Sequence, residues 1–392
     1  MPLWTYAALA VTFVAQVMGT MIMYAPAVVA SAAQADLGVP ASSVGVLTSI
    51  CYVGATAATM ISGQAISRLG PMRWSQICLL MMACGTGLIA SANLLLVMAG
   101  GLILGAGYGP LTPASSAILV KRAPLRLRAT ILSVKQTGVP AGGALAGMII
   151  PLLILAYGWK TAVLTLGGFC LLITALVQPT RKEFDRADFR YLPTGKQGIL
   201  EPLRVLRTDP RLWEGALVSF IYAGMQLMFV SFFVVYLTQH VGLTLVMAGG
   251  AMAAGMIGSV VARLMWGVVA DRWVRPRALL AWIGIGTSLA TVTMALITPA
   301  WPLFSIYAVG IAMGMTSVAW NGVFLAEIAR IAPKGDIGMA TSASMIFTYG
   351  GVVFCPVLCW GLIIATGGYT AMFLIMAALN LLAALALFRR HA

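Results

Sequence analysis

The sequence predicts an all-α membrane protein: twelve transmembrane helices in two pseudo-symmetric six-helix halves. Three observations predict it. Of 392 residues, 61% are hydrophobic and only 9% charged, whereas a soluble protein keeps about 25% charged residues to cover its surface. The apolar residues gather into twelve runs, each near the ~20 residues that cross a bilayer core. A loop sequence of the first half recurs 204 residues further on, from Gly63 to Gly267.

The runs cover residues 4–32, 42–66, 74–92, 94–120, 129–155, 159–178, 212–239, 244–270, 278–298, 302–327, 338–365 and 370–388. Lipid offers no partner for open backbone N–H and C=O groups, so each run is expected to be helical. The dyad alternation of a membrane β-barrel is absent. One long polar stretch contains Arg181-Lys-Glu-Phe-Asp-Arg186 and the Pro193-Thr-Gly195 turn. It divides the chain into a bundle at 1–178, a cytoplasmic linker at 179–210 and a second bundle at 211–392. Part of the linker, Ile199 to Leu206, has the composition of an interfacial amphipathic segment. The start, Met1-Pro2-Leu3-Trp4, lacks the basic region of a cleavable signal.

The net charge of +14 would suit nucleic acid, but its placement argues against that partner. Arg68 and Arg73, Lys121 to Arg128, the bases from Arg181 to Arg211, Arg272 to Arg277, Arg330 and Lys334, and Arg389 and Arg390 all fall on one side of the predicted spans. The other side holds Lys160. The positive-inside rule makes the basic side cytoplasmic and puts both termini there, in a multi-pass protein of the inner (cytoplasmic) cell membrane. All six cysteines lie in apolar runs, so a disulfide framework is not expected. Cys355 and Cys359 are spaced i, i+4, which suits a soft-metal pair or, more simply, packed small residues. No metal site and no cofactor are expected. An enzyme is disfavoured, because no nucleophile–base set is visible and the two histidines, His240 and His391, sit near membrane edges. Short loops and the lack of a soluble domain disfavour a non-transporting receptor.

The repeat is specific. Gly63-Gln-Ala-Ile-Ser67-Arg68-Leu-Gly70-Pro-Met-Arg73 follows the second span, and Gly267-Val-Val-Ala-Asp271-Arg272-Trp-Val-Arg275-Pro-Arg277 follows the eighth. A looser echo links Gly105-Ala-Gly-Tyr-Gly109 with Gly310-Ile-Ala-Met-Gly314. The two loops resemble the major facilitator signature Gly-x-x-x-Asp-Arg-x-Gly-x-x-Arg/Lys. The second copy keeps its acid as Asp271, while the first has Ser67. The resemblance implies the major facilitator fold and a monomeric transporter working by alternating access between duplicated halves. It also implies that helices 1, 4, 7 and 10 line a cavity and that helices 5 and 8 meet between the halves. Asp271, Arg272, Glu327, Arg330 and Arg68 are then candidates for a charge network that locks the cytoplasmic side. The alternative is topology anchoring alone. With Ser67 and Ile118 at the matching places, the first half should hold the weaker network.

Two bases fall inside spans. Arg263 lies roughly 12 Å into helix 8 and Lys135 roughly 10 Å into helix 5, at 1.5 Å per residue. A charge at such depth costs ~2.5–3.5 kcal/mol even on insertion scales and marks a functional site by default. Glu214 and Glu327 lie near the cytoplasmic edge and Asp36 is expected in the first outer loop, so no acid shares that depth. A small organic anion, a mono- or dicarboxylate, would supply the missing charge, with Arg263 as a bidentate fork and Lys135 as a point charge. The structural alternatives are snorkelling, or bonds to carbonyls freed by nearby glycines and prolines.

A finer resemblance agrees. The run from Val261 to Arg277 is similar to helix 8 and its loop in the monocarboxylate transporters, and the oxalate–formate antiporter group also uses a helix 8 arginine. Tyr24-Ala-Pro26 resembles the tyrosine–proline region of helix 1 in the monocarboxylate transporters. The resemblance implies that Arg263 binds a carboxylate. Ser259 replaces that family's helix 8 acid and its helix 1 lysine has no match, which leaves coupling open between a proton and a counter-anion. Tyr24, Tyr108, Tyr222, Gln226, Trp320 and Asn321, with Gln136 beside Lys135, are the further candidates for the site, packing being the alternative for each. Glycines and prolines at 105–113 are expected to loosen helix 4. Gly138-Val-Pro140-Ala-Gly142-Gly143 resembles the antiporter motif with one residue fewer. The rival function is a proton-coupled multidrug exporter of the same fold. It is disfavoured by Gly101, where exporters carry an arginine, and by the missing membrane carboxylate.

Overall fold

Every long apolar run forms helix, as a chain that must satisfy its own backbone requires. The computed structural model describes residues 3–122, 124, 128–185, 204, 206, 209–332 and 337–388. Most of the predicted amphipathic stretch, together with Arg126, Lys334, Arg389, Arg390 and His391, lies outside the described residues. The helices are α1 (Leu3–Leu37), α2 (Val44–Leu69), α3 (Pro71–Ala90), α4 (Leu94–Arg122), α5 (128–157) and α6 (159–176), then α7 (Pro210–Gln239), α8 (Leu245–Arg272), α9 (Pro276–Ala295), α10 (Leu303–Ile331), α11 (Ile337–Thr366) and α12 (Tyr369–Ala386).

Eleven stretches among the described residues are long and apolar enough to cross a membrane. One of them bends at Gly158, with φ 78° and ψ 163°, a conformation that a residue without Cβ adopts readily. It therefore contains two helices, α5 and α6, and the count becomes twelve. Asp36 sits in the last turn of α1 rather than in a loop. There it pairs with Lys160 at 3.0 Å and accepts a hydrogen bond from Trp159 Nε1 at 3.1 Å, so the outward-assigned base is neutralised within its own half.

The chain divides into two compact units: Met1–Ala41 with Ile50–Gly195, and Ser42–Ser49 with Lys196–Ala392. In each unit the first helix packs along the fifth, the second along the fourth and the third along the sixth. Small residues make the first of these pairings possible. A Cβ on Gly142 of α5 would meet the Val17 carbonyl of α1, and a Cβ on Gly351 of α11 would meet the Phe220 carbonyl of α7. Close backbone approach through small residues is how membrane helices gain packing without a hydrophobic driving force between them.

One end of the first unit is tied by residues just after α6. Asp185 accepts backbone N–H groups of Met72 and Arg73 at 2.7 and 3.0 Å, capping α3. Burial pushes the Asp185 carboxyl above the usual carboxylate range, while those N–H groups and Arg181 pull it down. Arg122 pairs with Glu183 at 2.8 Å, and Phe184 is fully buried edge-on to Trp4. The loop lacking its signature acid at Ser67 thus receives an acid from beyond α6.

Candidate functional site

In the first unit, the predicted Lys135 sits near the end of the first segment of α5, Arg128–Gln136, before Thr137 interrupts the helix. Its side chain is 1% exposed. Nζ donates to Gln16 Oε1 at 2.7 Å, Gln136 Oε1 at 3.2 Å and Thr112 Oγ1 at 3.5 Å. Three N–H groups meet three oxygens, which satisfies the geometry of an ammonium. All three oxygens are neutral, which leaves its charge without a fixed counter-ion among the described residues. Snorkelling does not describe this placement, because the head group is enclosed.

The network extends along α1 to α4. Thr112 Oγ1 also donates to Gln16 Oε1 at 3.1 Å, Gln16 Nε2 donates to Thr20 Oγ1 at 3.3 Å, and Thr20 Oγ1 lies 3.4 Å from Tyr108 OH. Tyr108 is half-buried, edge-on to Tyr52. The structure therefore joins three predicted residues, Lys135, Gln136 and Tyr108, through three that sequence reasoning missed: Gln16, Thr20 and Thr112. A signal existed, since Gln16 and Thr20 are polar at i, i+4 within an apolar span. Tyr24 is buried in α1, two residues before Pro26.

In the second unit, Arg263 of α8 is half-buried and its NH2 donates to the Val318 carbonyl at 3.1 Å. That carbonyl belongs to a π-helical turn, Gly314–Val318, in the middle of α10. A π turn disturbs the i→i+4 ladder and frees carbonyls, which lipid cannot satisfy. α8 supplies the donors: Arg263 to Val318, and Trp266, three residues on, through Nε1 to the Met315 carbonyl at 2.8 Å. Trp266 was not among the candidates, because an indole in an apolar run looks like packing.

Gln226, Trp320 and Asn321 come together: Gln226 Oε1 accepts from Trp320 Nε1 at 3.3 Å and from Asn321 Nδ2 at 3.4 Å. Tyr222, one turn before Gln226, meets the same Trp320. Its hydroxyl donates to the Leu280 carbonyl of α9 at 2.8 Å, and its ring lies edge-on to Trp320 at 5.7 Å. Tyr222 and Trp320 are 3% and 1% exposed. The gap beside them leaves no room even for a water molecule, whereas ordinary ligand pockets measure at least ~300 Å³. Both are core residues of this unit in the present conformation.

The predicted charge network is only partly assembled. Glu327, almost fully buried, holds Arg330 of its own helix through two bonds of 2.8 Å. Asp271, Arg272 and Arg68 are exposed, with no ion pair among the described residues. The strong interhelical pair at this end is Arg277 with Glu214, two bonds of 3.0 and 2.9 Å, with Arg277 Nε also donating to the Leu387 carbonyl. It ties α9 to α7 and to the end of α12. The helix 4 glycines serve contact: a Cβ on Gly105 would meet the Cys51 carbonyl of α2, and one on Gly107 the Cys78 carbonyl of α3.

Comparison with known proteins places this architecture. A sequence model of the Major Facilitator Superfamily matches residues 9–328. The chain is similar to the hexuronate transporter of Bacillus subtilis (strain 168), 22% identical over 403 residues that cover 96% of this chain and 92% of the relative. Among solved structures it is similar to a bacterial homolog of the human lysosomal transporter Spinster in an inward-facing, unoccupied conformation (TM-score 0.80, 15% identity, 99% of this chain and 97% of that one). It is also similar to the nucleoside transporter NupG (TM-score 0.81, 14% identity, 97% and 100%). These relatives are transporters rather than enzymes, and each covers nearly the whole chain. The chain is a multi-pass membrane protein that carries a small-molecule substrate across a lipid bilayer, and it belongs to the major facilitator superfamily.

Proposed function

We propose that this transporter moves a small organic anion, a mono- or dicarboxylate, by alternating access, with Lys135 of the first unit and Arg263 of the second as its cationic partners. The observation that carries this reading is the buried Lys135 ammonium, held by three neutral oxygens. A buried charge is costly unless paired, and a transported carboxylate supplies the pair while bound. Arg263 adds a guanidinium whose NH2 rests on a backbone carbonyl, a weaker partner than a carboxylate. The hexuronate relative supports the anion class, since a hexuronate is a hydroxylated carboxylate. The resemblance of 261–277 to the monocarboxylate and oxalate–formate transporters supports the same class. We assign Gln136, Tyr24, Tyr108, Tyr222, Gln226, Trp320 and Asn321 supporting roles around the anion during the cycle. Asp271, Arg272, Glu327, Arg330 and Arg68 are assigned to the gate. The functional bodies are bundles 1–178 and 211–392 with the linker 179–210 between them, in the cytoplasmic membrane with both termini inside. A proton or a counter-anion completes the coupling.

The test is uptake into proteoliposomes of labelled D-glucuronate, lactate and oxalate against a cationic dye, with and without a pH gradient. The expected result is uptake of at least one carboxylate, falling at least tenfold in Lys135→Gln and in Arg263→Gln, the loss of one charge-assisted bond. Dye uptake without carboxylate uptake overturns the anion reading. Unchanged carboxylate uptake in both variants removes the two cations from the site.

A further inference from the structure

We propose that Gln16 is a positioning residue that ties the Lys135 ammonium to both arms of α4 and so couples the state of Lys135 to the discontinuity in that helix. α4 is one apolar span made of two helical segments, Leu94–Tyr108 and Leu111–Arg122. Between them lie Gly109 and Pro110, and Pro113 follows. The prolines carry no N–H, so the helix lacks two of its internal bonds here. The backbone therefore flexes at this point unless something outside the helix braces it.

Gln16 of α1 is such a brace, beside the packing of Gly109 on the Ala55 backbone of α2. Its Oε1 accepts from Thr112, the second residue of the second arm, at 3.1 Å. Its Nε2 donates to Thr20 Oγ1 at 3.3 Å, which lies 3.4 Å from Tyr108 OH at the end of the first arm. The orientation of the amide is determined, because Lys135 Nζ can only donate and must meet the oxygen. Gln16 is 2% and Thr20 0% exposed, so water does not replace these bonds. One amide thus spans the discontinuity and holds the cation.

The coupling rests on the reading that Lys135 takes the anion. A carboxylate oxygen arriving at Nζ is a fourth acceptor for three N–H groups. It displaces the longest bond, that to Thr112 at 3.5 Å, and so draws the ammonium off the second arm of α4. The second arm of α4 then loses part of its brace on the side where the anion binds.

The experiment is hydrogen–deuterium exchange of the full-length protein in lipid nanodiscs, followed over residues 111–118 with α3 as internal reference. Without any ligand, Gln16→Met and Thr112→Val are expected to raise exchange at 111–118 about tenfold, the scale of one or two sheltered hydrogen bonds, and to leave α3 unchanged. Unchanged exchange in both variants overturns the brace. If Gln16→Met loses protection everywhere, Thr112→Val, which removes a single hydroxyl, decides alone. With saturating D-glucuronate as probe, the parent is expected to exchange faster at 111–118 and Gln16→Met to show no further response. A parent that binds glucuronate with 111–118 unmoved overturns the coupling while the anion reading stands. A parent that binds none of the carboxylates tested loses the anion reading, and the ligand-free comparison still decides the brace.

Discussion

At the residue scale, Lys135 and Arg263 stood out in the sequence because charge in a membrane is expensive, so the two bases left inside spans had to be doing something. Their surroundings were not legible in the same way. Gln16, Thr20 and Thr112 carry no charge, so hydropathy barely registers them, yet they make the bonds that enclose Lys135. Trp266 was hidden for the opposite reason: its indole counts as apolar while its one N–H serves a carbonyl. Trp266→Phe keeps the ring and removes that donor. The Met315 carbonyl is then left unsatisfied, at a cost of about 1–3 kcal/mol. Thermal unfolding in detergent should show a lowered Tm, against an unchanged Tm for Trp273→Phe, whose side chain is largely exposed. Equal Tm values for the two variants would show that the π turn does not depend on its indole donor.

At the element scale, the helices themselves were readable from apolar run length, and their ends mostly fell within a few residues of the predicted bounds. The exceptions have physical causes. α1 runs on to Leu37 because Asp36 finds Lys160 and Trp159 there. α5 and α6 form one continuous stretch bent at Gly158 because a positive-φ glycine needs no loop. What composition did not reveal is the use of each glycine. Those of α4, expected to loosen the helix, also serve as contact surfaces. α11 offers a direct comparison within one helix. A Cβ on Gly351 meets the Phe220 backbone of α7, while a Cβ on Gly361 meets nothing within 4 Å. Gly351→Ala should therefore force α7 and α11 apart and cost about 1–3 kcal/mol. Gly361→Ala should leave stability unchanged or slightly raised, since alanine is the better helix former by about 1 kcal/mol. Parallel thermal scans of the two variants check both, and a tolerated Gly351→Ala would mean that the α7–α11 contact has slack.

At the scale of the whole molecule, the duplication was visible because a signature loop repeats with fixed spacing. The shared pairing of first helix with fifth, second with fourth and third with sixth became visible only in the fold. Charge placement carries the remaining whole-molecule expectation, the orientation in the bilayer. Bases on one side of the spans are retained in the cytoplasm during insertion, whereas an isolated base on the other side can cross. Lys160, already paired with Asp36, is such a base, and Arg275 lies in the signature loop on the basic side. The pair at Lys160 is partly exposed and contributes ~0–1 kcal/mol, so Lys160→Cys should fold. Arg275 is exposed, so Arg275→Cys should fold as well. In intact cells, a membrane-impermeant maleimide is expected to label Lys160→Cys and to leave Arg275→Cys unlabelled until the membrane is opened. The parent supplies the background for its own thiols, five of which are buried and one, Cys84, exposed. The reverse labelling pattern would invert the orientation and, with it, the side on which Asp271, Arg272 and Glu327 are proposed to gate.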